Sequence, residues 1–447
     1  MSGKECFEIL DKIFLPKKME NIENIKGYTM KYGHIVENLK EYDGFEVPES
    51  AIVDEVLVSY FKEPMSYTTE NMCEINTHGG NIVVKKILEL CLKNGAEMAE
   101  PGEFTKRAFL NGRIDLLQAE SVIDIIDAKS ERELKAGMNQ LEGRVSKEIH
   151  DIKQKIMDVM VNVEVDIDYP EYDVEEVTNT EINEMLDVVI ADLSRLEKSF
   201  DNGKILKDGV KTAIIGKPNA GKSSLLNCIL NEERAIVTEI EGTTRDTIEE
   251  FVTVEGVPLK LIDTAGIREA KDEVEKIGIT KSKEIAKDAD LIIAIFDSSK
   301  DLTDEDKEIL DIIKNKTAIV VLNKMDLLNK IDENMAEIKN VSKYIVKMST
   351  LEQKGIDDLY KSIGNLFSME EISLDNTTVI TNVRHKNLIS KSLNSCREAK
   401  KSMELGMPLD IIAIFLKEIL ENLGEITGET VTDDIIDEIF SKFCLGK

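Results

Sequence analysis

The sequence has too little positive charge to bind nucleic acid or an anionic membrane with its whole surface. Its 447 residues include 57 Lys and Arg against 87 Asp and Glu, a formal net charge of -30 at pH 7. A chain of that sign repels both kinds of surface, so any RNA contact requires a local basic patch. Such a patch is compatible with the global sign because salt screens charges over roughly 8 Å at physiological ionic strength.

Long apolar runs and paired cysteines are also missing. No apolar run approaches the roughly 18 to 20 residues of a membrane span, so we expect no membrane partner. The six cysteines are scattered without the paired spacing of a metal site. This usage is typical of a cytoplasmic protein with reduced cysteines and no structural zinc.

What the sequence does contain is a phosphate-binding loop. Gly216-Lys-Pro-Asn-Ala-Gly-Lys-Ser223 directly follows the apolar run Ala213 to Ile215, a pattern of strand, loop and helix. Its glycines let successive backbone N–H groups point at phosphate oxygens, Lys222 adds a positive charge, and Ser223 offers a hydroxyl to Mg²⁺. The chain is therefore a candidate nucleoside triphosphatase.

Three further motifs, in the expected order, indicate that the nucleotide is GTP. Asp263-Thr-Ala-Gly266 follows a buried-strand pattern, so its carboxylate would face the metal and its glycine the γ-phosphate. Gly242-Thr-Thr244 lies where a switch loop would bring a hydroxyl to Mg²⁺. Asn323-Lys-Met-Asp326 follows a third buried-strand pattern. Its Asp accepts two hydrogen bonds from the N1–H and the 2-amino group of guanine, which adenine cannot supply.

Composition and periodicity predict a multidomain protein. We expect an α+β N-terminal domain at 1–115 and the first half of an all-α helical domain at 116–208. An inserted α/β P-loop G domain would follow at 209–370, and the second half of the helical domain at 371–447. Insertion is physically easy because both ends of a G domain lie at its surface. Two separate helical domains are the alternative.

The sequence of the first half of the helical domain predicts which helix faces pack in the core. Proline is absent between residues 116 and 165, and apolar residues recur there at helical spacing. A second stripe follows with 4-3-4-3-4 spacing: Ile182, Leu186, Val189, Leu193, Leu196 and Phe200. This spacing predicts long helices that pack along one face.

The catalytic set lacks the glutamine that Ras-type GTPases place after the Asp-x-x-Gly motif to orient water. Ile267 stands there and can neither orient water nor stabilise charge. Asn219 is one candidate replacement, because its side-chain oxygen can hold a monovalent cation beside the phosphates, although it is equally a turn residue. Glu275 is the second candidate replacement, although by itself it is typical of a solvated charge in a first helical turn.

These motifs resemble the tRNA modification GTPases of the MnmE (TrmE) family along almost the whole chain. The resemblance depends on five features: Thr77-His-Gly-Gly80, the run Pro101 to Asn111 with Asp115 to Glu120, the Gly216 loop with Asn219, Gly242 to Asp246, and the terminal Cys444-Leu-Gly-Lys447. The last is the most discriminating, because a chain that ends in Cys-x-Gly-Lys is a mark of this family. The family usually has Ile where Leu445 stands, a conservative change.

The resemblance implies K⁺-stimulated GTP hydrolysis, triggered when two G domains meet. It implies that Glu275 orients the attacking water. The metal ligands that it implies are Ser223 and Thr244 for Mg²⁺, and Asn219, Thr238, Ile240 and Thr243 for K⁺.

The resemblance also implies that Asn323, Lys324 and Asp326 contact guanine. Ser349-Thr350 stands where the family usually has Ser-Ala, which keeps the last guanine contact, a backbone amide, feasible. The candidate residues for GTP and its ions are Asn219, Ala220, Gly221, Lys222, Ser223, Ser224, Thr238, Thr243, Thr244, Asp263, Thr264, Ala265, Gly266, Asn323, Lys324, Asp326 and Ser349.

For the chemistry beyond GTP, the resemblance implies a homodimer made through the N-terminal domains and an FAD-dependent partner. Together the partners add an aminomethyl-type group to carbon 5 of the wobble uridine of certain tRNAs. The carbon comes from a tetrahydrofolate derivative in its 5-formyl or 5,10-methylene form.

The folate contacts implied by the resemblance are Glu74, Arg113 and Lys447, with Cys444 nearby as the expected catalytic cysteine. Taken from the residues alone, Glu74 and Arg113 are ordinary surface charges. A lone cysteine is most often a small apolar residue.

The N-terminus departs from the family pattern. Members begin with a first strand that ends in an Arg-x-Ser-Gly turn, whereas this sequence starts at Met1-Ser2-Gly3, as though Met1 were the variable residue of that turn. We therefore expect a native chain that begins upstream and contributes a first strand and an arginine to the folate site. An N-terminal domain without that strand would leave a sheet edge exposed.

The candidate tRNA contact is the region from Arg384 to Lys401, which holds six Lys or Arg and one acid, Glu398. The alternatives for it are a phosphate-contacting face and a solvated helix. For the protein as a whole, the rival functions are a ribosome-assembly GTPase and a GTP-dependent recruitment switch. The first would need an appendage of net positive charge, and neither rival explains Cys444 to Lys447.

Overall fold

The computed structural model describes residues 1–17, 27–42, 47–168, 175–230, 250–262, 278–331, 336–367 and 378–446. The chain divides into two compact units, one formed by Met1–Ile123 with Gly424–Lys447 and the other by Asp124–Leu423. None of the helices in the described ranges is both long enough and apolar enough to cross a membrane.

Helices and strands are labelled in chain order. The helices are α1 Cys6–Asp11, α2 Asn81–Lys93, α3 Glu103–Leu110, α4 Leu116–Ile126, α5 Glu131–Leu141, α6 Arg144–Asp168, α7 Glu175–Asp208, α8 Lys222–Leu230, α9 Gly278–Asp288, α10 Asp304–Ile313, α11 Ala336–Lys339, α12 Ile356–Leu366, α13 Val383–Glu404, α14 Leu409–Thr427 and α15 Asp433–Phe440. The strands are β1 Phe14–Pro16, β2 Thr29–Val36, β3 Ile52–Phe61, β4 Met72–Asn76, β5 Val210–Ile215, β6 Glu250–Val254, β7 Val257–Leu261, β8 Leu291–Asp297, β9 Ala318–Asn323 and β10 Tyr344–Lys347.

The first unit is built on an antiparallel sheet in the order β1-β2-β3-β4. Alternation along β3 gives the sheet two different faces. Val56, Val58 and Tyr60 are buried in the core that α1 and α2 cover, whereas Leu57 between them is exposed. A smaller apolar core lies under α4 and α15, where Leu116 and Phe440 are buried.

The second unit contains a six-stranded sheet in the order β10-β9-β8-β5-β7-β6. All pairs are parallel except β6 with β7. Strands β8 and β9 are continuous apolar runs and are buried along almost their whole length, as expected for a parallel sheet covered on both faces. The strand order reverses beside β5, so the loop after β5 lies at the switch point where such sheets bind ligands.

The helical part of the second unit contains the stripe predicted from the 4-3-4-3-4 spacing. All six residues of that stripe are buried in α7. Helices α6 and α7 run antiparallel and are joined by ion pairs from Lys155 to Asp192 at 2.8 Å and from Arg195 to Glu148 at 2.9 Å. The packing face of α7 was therefore readable from sequence.

Helices from both sides of the G domain form one bundle. The α13 helix, which follows the G domain in sequence, packs along α7, which precedes it: Ser390 donates to Glu197 at 2.5 Å and Lys400 pairs with Asp187. The predicted fold class is confirmed: the protein has an α+β N-terminal domain, an all-α helical domain and an inserted α/β G domain. The numbered boundaries between the domains stay predictions.

Candidate functional site

The phosphate-binding loop connects β5 to α8, as its sequence predicts. The Lys222 ammonium donates to the carbonyls of Gly216 at 2.7 Å and Lys217 at 2.8 Å, so the charge lies inside the curve of the loop. Burial lowers the pKa of Lys222 from its usual value, because removal from water disfavours the charged amine. Anionic phosphates at this position would restore a charge partner.

Asn219 occupies the left-handed region of backbone conformation, with φ of +63°. Asparagine is one of the few residues that adopts this region at low cost, which accounts for its place in the turn. Its side chain is exposed, as are Ser223 and Ser224 in the first turn of α8. The amide oxygen of Asn219 and the hydroxyl of Ser223 are hard oxygen donors, which fits the ligand chemistry of K⁺ and Mg²⁺.

Gly221 must be glycine because the Asn323 side chain lies directly against it. Its φ is +110°, and a Cβ atom at this position would lie 2.1 Å from Nδ2 of Asn323. The phosphate loop and the end of β9 are therefore in contact through backbone and side chain, with no space for a methyl group.

Asn323 joins three segments of the G domain. It is 1% exposed at the end of β9. Its Nδ2 donates to the Ala220 carbonyl at 2.9 Å, and its Oδ1 accepts from the Thr350 amide at 3.1 Å. One buried amide thus holds the phosphate loop and the segment after β10 at fixed positions on either side of the motif.

Asp326 is exposed and presents its carboxylate beside that junction. The Ser349 hydroxyl donates to Oδ1 of Asp326 at 2.5 Å, and the amide of Glu352 donates to the same hydroxyl at 3.2 Å. A carboxylate has about four acceptor positions. The carboxylate can therefore keep its bond from Ser349 and accept two hydrogen bonds from guanine.

Lys324 is held by Asp297, a residue that the sequence motifs did not single out. Asp297 ends β8 next to Asn323 in register, and its Oδ2 accepts from the Lys324 ammonium at 2.7 Å. Burial raises the pKa of the Asp297 carboxyl, but hydrogen bonds from Lys324 and Ser299 outweigh it, so the pKa lies below its usual range. The anionic form thus orients Lys324 near neutral pH.

Lys217 of the phosphate loop also has a partner that sequence reasoning missed. Its ammonium lies 2.8 Å from the Thr303 hydroxyl and 2.7 Å from a carboxylate oxygen of buried Asp306. The Thr303 amide donates to the same carboxylate at 2.8 Å, so the N-terminal cap of α10 anchors the loop. The Thr-x-x-Asp spacing signals the cap in the sequence, but not its contact with Lys217.

Several predicted site residues lie outside the described residues. They are Thr238, Ile240, Thr243, Thr244, Asp263, Thr264, Ala265, Gly266, Glu275 and Lys447.

The first unit contains a separate cavity of about 420 Å³. Arg113 lines it, with its guanidinium 4.7 Å from the Tyr67 ring centroid and bonded to the Tyr67 carbonyl at 2.8 Å. The lining residues are Tyr28, Phe61, Pro64, Met65, Ser66, Tyr67, Thr69, Asn111, Gly112 and Arg113.

Two other predicted folate residues do not line this cavity. Glu74 is exposed on β4, opposite Ser59 of β3. Cys444 is also exposed, and its carbonyl accepts from the Gly102 amide at 3.3 Å, with Leu445 bridged to Pro101. Of the described candidates, the structure therefore places only Arg113 at the cavity.

We predict that Asn323→Ala weakens both folding and GTP binding, because it removes two buried hydrogen bonds and leaves the Ala220 carbonyl and the Thr350 amide without their partner. Each unsatisfied buried group costs about 1 to 3 kcal/mol. Denaturant unfolding and titration with a fluorescent GTP analogue measure the two effects. The control is Asn315→Ala, at an exposed position. Equal behaviour of the two variants would contradict the role of Asn323.

Two known protein-family models together match nearly the whole chain. Residues 1–113 match the family described as GTP-binding protein TrmE N-terminus, and residues 116–444 match the MnmE helical domain. A curated relative from Thermoanaerobacter pseudethanolicus, tRNA modification GTPase MnmE, is 51% identical and covers 100% of this chain and 95% of its own. The protein of the same name from Clostridioides difficile is 48% identical with the same coverage.

Among solved structures, the G domain of the T. maritima FeoB iron transporter is 22% identical, with a TM-score of 0.23. The match covers 35% of this chain and 98% of that one. The family assignment depends on the two family matches and the full-length relatives. On these grounds, the chain belongs to the MnmE (TrmE) family of tRNA modification GTPases.

Proposed function

We propose that this protein hydrolyses GTP in order to modify tRNA. Together with an FAD-dependent partner, it adds an aminomethyl-type group to carbon 5 of the wobble uridine of certain tRNAs, using a tetrahydrofolate one-carbon donor. The observation that carries the GTP part is the buried Asn323 amide, which ties the phosphate loop at Ala220 to the guanine-reading segment at Thr350. The tRNA part is supported by family membership over the full chain.

In the proposed site, different residues bind the phosphates, the base and the cations. Lys222 and the loop amides bind the phosphates, and Asp326 accepts from the guanine edge. Ser223 and Thr244 would hold Mg²⁺, while Asn219, Thr238, Ile240 and Thr243 would hold K⁺. The cations, when bound, would offset the negative charge that spreads over the phosphate oxygens in the transition state.

Glu275 takes the water-orienting role in this proposal, because Ile267 occupies the position of the usual glutamine. A carboxylate that accepts a hydrogen bond from water aligns it for attack on the γ-phosphate. Such a contact matters mainly in the transition state, so its loss lowers turnover more than GTP affinity.

For the folate donor, we propose the cavity beside Arg113. Aromatic walls suit a flat heterocycle, and Tyr28 and Phe61 meet edge to face at the cavity with centroids 5.8 Å apart. The Arg113 guanidinium suits a carboxylate of the donor. Glu74, Lys447 and Cys444 stay proposed contacts that come from the family pattern alone.

The proposed homodimer uses the N-terminal domains. Tyr32 of β2 lies opposite Leu57 of β3, and both side chains are exposed together with Met30 and Tyr28. Contiguous exposed apolar groups on one sheet face are typical of interaction surfaces. A second copy of the chain is the occupant that the family pattern suggests.

We predict that GTP hydrolysis requires K⁺ and that Na⁺ substitutes poorly, since the smaller ion needs a tighter ligand shell. Turnover is measured in KCl and NaCl at equal ionic strength. Asn219→Gly removes the side-chain oxygen while tolerating φ of +63°, whereas Asn219→Ala adds backbone strain. Both variants should lose the K⁺ response, and Asn219→Gly should keep GTP affinity. Equal wild-type rates in the two salts would refute K⁺ dependence.

Reconstitution tests the whole proposal. The protein, its FAD-dependent partner, GTP, an ammonium salt and a ¹³C-labelled 5,10-methylene-tetrahydrofolate are incubated with an unmodified tRNA transcript that carries a wobble uridine. We expect the ¹³C in the methylene carbon that becomes bonded to carbon 5 of that uridine, and no label in the tRNA with Lys222→Ala in place of the wild type. Hydrolysis of GTP without label in the tRNA would reject the modification function and leave the GTPase standing.

A further inference from the structure

The α13 helix has a charge opposite in sign to that of the chain. It holds six Lys or Arg against two Glu, in a protein with a net charge of -30. Two of the six cations face the bundle: Lys400 pairs with Asp187 of α7, and the Lys386 ammonium lies 5.3 Å from the centroid of the Phe200 ring. These two contribute to packing.

Two of the remaining cations on α13 have exposed side chains that face away from the bundle. Lys391 and Arg397 are exposed, and exposed Asn387 and Asn394 lie at helical spacing around Lys391. In the described part of the chain, neither the Lys391 nor the Arg397 side chain makes an ion pair or hydrogen bond. Lys401 extends the same stripe, and its ion pair with Glu398 at 3.6 Å joins two side chains that are both more than half exposed. Such an exposed pair contributes little and separates easily.

We define the α13 stripe as Asn387, Lys391, Asn394, Arg397 and Lys401. Because a helix rises 1.5 Å per residue, it extends over roughly 21 Å on one side of the helix. Mobile exposed cations release condensed counterions when they meet phosphates, and asparagine amides hydrogen-bond phosphate and sugar oxygens. The composition thus suits the backbone of a nucleic acid.

A protein partner fits the same stripe less well. The centres of protein interfaces are enriched in aromatic residues, methionine and arginine and depleted in lysine, so only Arg397 of the stripe matches that composition. The stripe consists of two asparagines, two lysines and one arginine, with no apolar member. Screening over about 8 Å lets these charges act locally despite the acidic surface elsewhere.

We propose that the α13 stripe is a docking surface for the tRNA backbone, with Lys391 and Arg397 as phosphate contacts. This inference rests on the proposed function for the identity of the RNA. It adds to that function a position on the chain where the substrate is held, through contacts that do not read sequence.

The test is a salt titration of binding between the full-length protein and a fluorescently labelled tRNA transcript. Lys391→Gln with Arg397→Gln removes two cations from the stripe. Lys307→Gln with Lys314→Gln removes two exposed cations from the α10 region of the G domain and is the matched control. The logarithm of the binding constant falls linearly with the logarithm of the salt concentration, and each lost phosphate contact reduces the steepness of that fall by about 1. The slope of the stripe variant should therefore be less steep by about 2, and the variant should bind more weakly at every salt concentration.

Three outcomes are informative. Loss of slope in the stripe variant alone, with GTP turnover as in the wild type, supports the proposal. Equal slopes in the stripe variant and the control overturn it, even if the stripe variant binds a partner protein less well. Absence of tRNA binding by the wild type, with GTP turnover intact, would count against the tRNA part of the proposed function and would remove the basis of this inference.

Discussion

The buried amide of Asn323 is the interaction on which the nucleotide site depends. Its two polar atoms bond to backbone groups of the phosphate loop and of the segment after β10. Because the amide is 1% exposed and both atoms are satisfied, neither segment can shift without exposing or orphaning a buried polar group. The buried amide therefore fixes the distance between the phosphate loop at Ala220 and the segment at Thr350.

The parallel sheet supplies the frame for this junction. The ends of β5, β8 and β9 meet at one edge, where they place the phosphate loop, Asp297 and Asn323 side by side. Two ion pairs hold the side chains of lysines whose partners the local sequence does not predict: Asp297 pairs with Lys324, and Asp306 pairs with Lys217. A continuous buried sheet thus converts three separate loops into one preorganised surface.

Local features of this protein were predictable from sequence, and contacts between distant segments were not. The strand-loop-helix arrangement around Gly216 to Ser223, the buried stripe of α7 and the fold class follow from spacing and composition, and the structure confirms them. The bond from Lys217 to Thr303 joins residues 86 positions apart and leaves no local pattern. For the same reason, the sequence indicated that Arg384 to Lys401 is basic but not which of its cations face the bundle.

The central claim is that this site binds GTP and recognises its guanine base. Replacing Asp326, the proposed hydrogen-bond acceptor, by a hydrogen-bond donor tests that claim most directly. Asp326→Asn replaces the carboxylate that we propose accepts from guanine by an amide that can donate to the 2-oxo group of xanthine. Hydrolysis of GTP and XTP by wild type and variant is the measurement. The account predicts that the variant loses roughly 10²- to 10⁴-fold in activity at limiting GTP, as expected for two hydrogen bonds to a charged group, and gains activity with XTP. A variant that still prefers GTP would contradict the account.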